Sequence, residues 1–244
     1  MKRRVFDVLW VVALLIFVTG FAYAQEEGGH EVAKKSWFDL FKATGVVGIL
    51  LVICSLIGTA LLIQFMVNFS ESKLGNPALM SEVEAMLQEG DMDNAYSLVS
   101  ADKSYAGKVL AGALSRSFGG YEETKKGAEE ASVVEGFHVQ AKLSYLSLVG
   151  NIGPLLGLLG TVTGMISSFQ VIETMKAPTP ADLAVGVYES LVNTTMGLFI
   201  AVVFLSAFFF MKNKVSDITL RINNEIGELL SRTLSPEARQ QASQ

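Results

Sequence analysis

An uncharged, glycine-rich stretch near the middle of the chain constrains its fold more than any other feature. No charged residue occurs between Lys142 and Glu173, an interval of 30 residues, whereas a helix needs only about 20 apolar residues to cross a bilayer. Glycines recur in this stretch at steps of three and four residues and so share one helical face. They are Gly150, Gly153, Gly157, Gly160 and Gly164. Since each glycine costs a helix about 1 kcal/mol relative to alanine, this face predicts a spanning helix that lies very close to another backbone.

Two other apolar stretches predict two more spanning helices. One fills the 28 uncharged residues between Lys42 and Glu71, and the other runs from Leu183 to Met211 with Glu189 as its one charged residue. Half of the 244 residues are apolar and 18% are charged, which indicates an all-α membrane protein with a modest soluble part. The net charge of −5 disfavours a nucleic-acid partner, and the single cysteine, Cys54, excludes an intrachain disulfide.

The N-terminus has the composition of a secretory signal peptide. Three basic residues at positions 2–4 precede an apolar run, which ends at Ala22-Tyr23-Ala24. This pattern predicts a signal peptide over residues 1–24. The same run is long enough to be a retained hydrophobic helix, and in either case residues 25–42 form a leader outside the cytoplasm.

The remaining chain divides by its charge and its helix-terminating residues. Pro77, Gly90 and Asp91 delimit short helices in a polar region, and a third helix is expected from Tyr105 to Phe118. A single long helix is expected from about Glu122 to about Val171, with a kink at Pro154. The predicted segments are a first span (43–69), a cytoplasmic helical domain (70–143), a second span (144–172), a short periplasmic loop (173–182), a third span (183–211) and a cytoplasmic helix and tail (212–244). The segments placed in the cytoplasm hold 12 Lys and Arg residues against 4 in the outer ones, as the positive-inside rule requires.

Polar side chains in the second and third spans are the candidates for an ion pathway. Thr161 lies 11 residues before Ile172, and Thr194 lies 11 residues after Leu183, so both are expected about 16 Å below the outer surface. Glu189 places a carboxylate near the outer end of the third span. A charge there is energetically costly, so Glu189 is a functional candidate, although its side chain can also reach the membrane interface. A lone hydroxyl in a span commonly bonds its own helix, an alternative that stays open for the neighbouring threonines. In the third span Glu189 is followed by Ser190 and by a polar run, and Gly197 is expected to be a helix-packing residue like the glycines of the second span. The candidates for the ion pathway are Thr161, Thr163, Glu189, Asn193, Thr194 and Thr195.

The residues GNIGPLLGLLGTVTGMISSF, followed after a short loop by YESLVNTTMGLFIAV, resemble the MotA/TolQ/ExbB proton channel family, and its ExbB branch most closely. The resemblance implies a ring of five copies whose last two spans line a pore, which holds one spanning helix from each of two ExbD/TolR-like partner chains. It also implies a bacterial inner-membrane motor that passes the energy of a proton or sodium gradient to a TonB-like protein. Thr161 corresponds to the pore threonine of the family's GTV motif, Thr194 to the threonine of its LxxT segment and Glu189 to the glutamate before it. The run Asn193-Thr194-Thr195 is more polar than the family pattern and leaves the transported ion open.

Further expectations follow for assembly and for chemistry. Glycine faces on identical chains favour cyclic packing, so we expect a closed homo-oligomer. We expect neither a cofactor nor enzymatic activity, since the sequence offers no nucleophile–base pair, metal-ligand cluster or phosphate loop. Alternatives within the family are a TolQ-like or flagellar-stator-like subunit, and the alternative outside it is a structural membrane scaffold.

Overall fold

The structure, a computed structural model, describes residues 45–235. The predicted signal peptide, the whole predicted leader, residues 43–44 and the last nine residues lie outside the described residues. Every regular element in the described part is helical, and three helices are long and apolar enough to cross a membrane. The all-helical class and the three candidate spans are thus confirmed. The elements are α1 (Gly45–Asn68), α2 (Glu71–Gly75), α3 (Pro77–Glu89), α4 (Met92–Ala101), α5 (Tyr105–Leu114), a 3₁₀ turn (Ser117–Gly119), α6 (Tyr121–Thr174) and α7 (Pro180–Leu234).

The two longest helices each join an apolar segment to a charged one without interruption. α6 has 54 residues and α7 has 55, which gives each a length of about 80 Å. α6 includes Pro154 in its interior, begins one residue before its predicted start and ends three residues after its predicted end. The third predicted span and the charged segment after it form one helix.

Helix α3 and the beginning of α4 lie where the sequence indicated, whereas α5 is shorter than expected. Pro77 opens α3, and Gly90 closes it with φ 81°. The Asp91 side chain accepts a hydrogen bond from the Asn94 amide at 3.2 Å and caps α4. The prediction for α5 was too long: the helix ends at Leu114, and Phe118 is 97% exposed in the turn that follows. Ser115 contributes to this end, because its hydroxyl donates back to the Gly112 carbonyl.

The described chain falls into two compact units. One holds residues up to Ile53 together with Ile152–Val203, and the other holds Cys54–Asn151 together with the chain from Phe204 onward. In the second unit, Tyr105 donates from its hydroxyl to Asn223 Oδ1 at 2.9 Å. Its apolar core includes Val83, Val99, Val109, Leu110, Ile226, Leu229 and Leu230, all nearly inaccessible to solvent.

Hydrogen bonds to the Asp102 carboxylate also stabilise the connections between the short helices of this second unit. Asp102 accepts hydrogen bonds from the Ser104 amide at 2.6 Å and from Asn76 Nδ2 at 2.8 Å. Burial favours a raised pKa for the Asp102 carboxyl, but these hydrogen bonds outweigh it and the pKa lies below its usual value. The carboxylate therefore stays ionised and holds Asn76 in its left-handed conformation, with φ 41°.

Candidate functional site

The glycine face of α6 lies against α7 of the same chain. A Cβ added at Gly157 would lie 3.1 Å from the Asn193 carbonyl oxygen and 3.1 Å from Thr194 Cα, and one at Gly164 would lie 2.7 Å from the Gly186 carbonyl oxygen. The expectation of a close backbone is met. These glycines already contact α7 of the same chain, so they no longer support the argument that identical chains pack against each other through them.

We call this contact the glycine seam. It is built from small residues on both helices. On α6 it comprises Gly153, Gly157, Gly160, Gly164 and Ser168, and on α7 it comprises Gly186, Ser190, Asn193 and Gly197. Gly150, in the other unit, packs instead against Leu205. With little apolar driving force between helices in lipid, this close approach allows van der Waals contact and hydrogen bonds to hold them together.

The glycine seam brings Thr161 and Thr194 into direct contact. Their Oγ1 atoms are 2.5 Å apart. The Gly157 carbonyl oxygen is 3.2 Å from the Thr161 hydroxyl and 3.3 Å from the Thr194 hydroxyl, and the Ser190 carbonyl oxygen is 3.1 Å from the latter. The two hydroxyls therefore share one depth on two antiparallel helices.

The protons of this pair allow two arrangements. Each hydroxyl has one proton to donate and can accept two hydrogen bonds. Either Thr161 donates to Thr194, which then donates to a carbonyl, or Thr194 donates to Thr161, which then donates to the Gly157 carbonyl. Because both hydroxyls are only half-buried, an approaching polar group can be offered a lone pair in either arrangement.

Asn193 is the most deeply buried polar side chain of the glycine seam, with 1% of its surface exposed. It packs directly on Gly160, where an added Cβ would lie 2.8 Å from Asn193 Cγ and closer still to Asn193 Cβ. The side chain thus fills the space that the glycine leaves, next in sequence to Thr194.

Two predicted site residues lie outside the pair. Thr163 and Thr195 are exposed, and their hydroxyls donate to carbonyls of their own helices. Thr163 bonds Leu159 O and Gly160 O, each at 3.1 Å, and Thr195 bonds Leu191 O at 2.9 Å. This is the alternative that the sequence left open for them.

Glu189 is also separate from the hydroxyl pair. It is half-buried, and its carboxylate lies at the first residue of α1, where a Cβ added at Gly45 would be 2.9 Å from Glu189 Oε1. Gly45 has φ 57°, a left-handed conformation that other residues rarely adopt.

Two residues of the glycine seam, Ser168 and Gly186, were missed at the level of sequence. Ser168 is buried and donates to the Leu183 carbonyl of α7 at 3.2 Å, and Gly186 meets Gly164 beside Ser190. The signal was present, since Gly186, Ser190, Asn193 and Gly197 recur at steps of four, three and four and so share a face of α7. Among residues 45–235, no group of three or more His, Cys, Asp or Glu side chains is placed to hold a metal ion.

Comparisons with known proteins agree with this arrangement. The profile of the MotA/TolQ/ExbB proton channel family matches residues 102–224, half of the chain. A biopolymer transport ExbB homologue of Methanothermobacter thermautotrophicus is 22% identical over 180 residues, 73% of this chain and 64% of the relative. The Tol-Pal system protein TolQ of Pseudomonas aeruginosa is 41% identical over 64 residues, 26% of this chain and 28% of the relative. The biopolymer transport protein exbB1 of Vibrio cholerae is 49% identical over 61 residues, 25% of this chain and 27% of the relative.

The fold has a relative among solved structures as well. The structure of C. jejuni MotAB has a TM-score of 0.58 at 14% identity and covers 97% of this chain and 94% of that chain, a likeness of fold alone. The chain spans less than two thirds of the length of each curated relative named above. The matched family region includes the whole glycine seam and both threonines. The chain belongs to the MotA/TolQ/ExbB proton channel family.

Proposed function

We propose that this chain is the ExbB-like subunit of an inner-membrane motor that couples proton flux to outer-membrane transport through a TonB-like protein. Sodium is the alternative ion, and TolQ-like and flagellar-stator-like subunits are the alternatives within the family. The observation that carries the proposal is the 2.5 Å contact between the Thr161 and Thr194 hydroxyls. A matched hydroxyl pair between two candidate spans gives an ion or a carboxyl group a polar partner inside hydrocarbon.

The proposed assembly is a homopentamer in a bacterial inner membrane. An ExbD/TolR-like dimer would place its two spanning helices in the central pore, and the large loop and C-terminus would face the cytoplasm. The excess of Lys and Arg in the segments assigned to the cytoplasm supports this orientation. Native mass spectrometry of the detergent-purified protein tests the stoichiometry, and a monomer or isolated dimer as the sole species contradicts it.

The titrating group for conduction must come from the partner chain. No acid or base occurs between Lys142 and Glu173, or between Glu189 and Lys212, and threonine hydroxyls do not titrate near neutral pH. Proton transfer at the midplane needs an ionisable side chain, which is rare there and marks a relay. A partner aspartate would bond the hydroxyl pair when protonated and leave it when ionised.

Reconstitution in liposomes tests this division of roles. We expect ion flux under an imposed pH or sodium gradient from the complex with the partner and almost none from this chain alone. Equal conduction by the isolated chain would place the titrating group here, and no flux from the complete complex would favour a structural scaffold.

Valine substitutions test the hydroxyl pair itself. Thr161→Val and Thr194→Val keep the branched shape and remove the hydroxyl, so each should abolish energised flux while the complex stays assembled. Thr163→Val and Thr195→Val are matched controls, because their hydroxyls bond only their own helices, and we expect flux near the wild-type level. Normal flux in both single variants of the pair would rule out the proposed pathway.

A further inference from the structure

Glu189 and Thr194 project from different sides of α7. They are five residues apart, which at 3.6 residues per turn separates them by about 140° around the helix and about 7.5 Å along it. The residues of α7 that meet α6 lie between these two directions, since Gly186, Ser190, Asn193 and Gly197 form the middle of that face. Thr194 therefore borders the glycine seam on one side, and Glu189 borders it on the other.

The neighbour of Glu189 on its own side is the beginning of α1. Its carboxylate oxygen Oε1 lies so close to Gly45 that a Cβ there would be 2.9 Å away. The first turn of a helix presents backbone N–H groups that have no partner within the helix, and a negative charge is favourable there. α1 has no acidic residue in its own first turn, and the Glu189 side chain of α7 lies beside that turn.

The other contacts of α1 are apolar. Its 24 residues are uncharged; Val47, Leu51 and Phe65 are buried, and Gly58 packs on the Phe204 ring, while other large apolar side chains along it are exposed. Apolar packing alone tolerates small shifts along a helix, whereas a polar side chain in contact with the first residue favours one height and one rotation of α1 against α7.

We infer that Glu189 is a positioning residue, which fixes the start of α1 on α7 and thereby supports the helix that presents Thr194. It acts through α1 and does not carry the ion. The inference rests on the proposed function for its link to ion flux, but the contact between Glu189 and Gly45 stands independently of it.

A double-mutant comparison in the purified complex tests the contact. Gly45→Ala brings a Cβ onto the carboxylate and also strains the left-handed backbone, so it should lower the Tm. In a Glu189→Ala background the clash is gone and only the strain remains, and the fall in Tm should be clearly smaller. Equal falls in both backgrounds would show that the two residues act independently and would overturn the inference.

Ion flux distinguishes positioning from relay. Glu189→Gln keeps the shape and polarity of the side chain but cannot titrate, so we expect flux within about threefold of the wild type, against a loss of about tenfold or more for Glu189→Ala. Glu173→Gln, an exposed carboxylate at the end of α6, is the matched control and should be neutral. A Glu189→Gln complex with wild-type Tm and no flux would assign the ion relay to Glu189 and overturn the inference. If the wild-type complex conducts nothing, the proposed function fails, and the Tm comparison still decides the role of Glu189.

Discussion

Two of the helix crossings among residues 45–235 have glycine on both helices, and they differ in what surrounds the contact. In the glycine seam, uncharged residues surround Gly153, Gly157, Gly160 and Gly164, and hydroxyls make the polar contacts. Where α5 crosses α6, Gly127 meets the Gly112 carbonyl oxygen, with Lys108–Glu135 at 2.8 Å and Arg116–Glu130 at 2.5 Å close by.

The difference follows from the medium around each crossing. Exposed ion pairs cost little to form and add little in water, so they can flank a crossing whose stability comes from apolar burial. Within hydrocarbon the same charges would be expensive, and neutral hydroxyls provide polarity at a lower cost. The glycine seam is therefore the contact that tolerates change least, because both its packing and its hydrogen bonds depend on the close approach of the two backbones.

Filling the glycine seam should have the largest effect. Gly157→Leu places a large side chain where a Cβ alone would lie 3.1 Å from two backbone atoms of α7, and backbone cannot move aside cheaply. We expect a loss of about 3 kcal/mol or more, seen as a loss of the folded complex in thermal unfolding in detergent. Gly136→Leu is the control, because nothing lies within 4 Å of a Cβ at Gly136. A wild-type Tm for the Gly157 variant would contradict the packing described here.

A smaller effect, with a rescue, is expected at the buried asparagine. Gly160→Ala brings a Cβ against the Asn193 side chain and should cost about 1–3 kcal/mol. Adding Asn193→Gly removes the side chain that the new alanine methyl group at position 160 would strike, so the double variant should recover much of the lost Tm. If the double variant is less stable than the sum of the two single losses, Asn193 has a role other than filling space.

The corresponding swap at the α5–α6 crossing should cost less. Gly112→Ala meets the Ala131 methyl group, but α5 has only ten residues and Gly112 is partly exposed, so the short helix can shift. We expect about 1 kcal/mol, reversed by Ala131→Gly, measured by the same unfolding assay. A loss as large as that of Gly160→Ala would show that the two crossings are equally rigid.

The smallest effect belongs to an ion pair beside that crossing. Glu135→Gln removes the partner of Lys108, whose side chain is 46% exposed, and should cost less than about 1 kcal/mol. The cost should shrink further as salt is added, because exposed charges are screened. A larger decrease in Tm that does not depend on salt would show that this ion pair is a main source of stability at the crossing.

The hydroxyl pair could be predicted from the sequence because the geometry of a helical hairpin is nearly one-dimensional. A short connection and a constant rise per residue fix the depth of every position, so counting from the connection was enough to match Thr161 with Thr194. Counting does not reveal rotation about the helix axis. Thr163, two residues from Thr161, was a second candidate whose hydroxyl the sequence could not exclude, and the structure shows that hydroxyl bonded to its own helix.

Two other features lay beyond the sequence for different reasons. A stripe of small residues indicates that a backbone comes close but not which chain supplies it, so α7 of the same chain could not be told from a second copy. The contact of Glu189 with Gly45 joins residues far apart in sequence and on different helices, and no periodicity within either helix records it.

The short connection between α6 and α7, residues 175–179, has a consequence for the order in which the protein forms. Closing a loop costs conformational entropy that grows with its length, so contacts nearest the connection can form first. Each contact that forms shortens the loop that the next contact has to close. The contacts between α6 and α7 can therefore form one after another, starting at the connection, before α1 or the short helices are in place. The order is Ser168 with Leu183, Gly164 with Gly186, Thr161 with Thr194, and then Gly153 with Gly197. The hydroxyl pair is thus completed early, as a local event in a chain whose other parts are still forming.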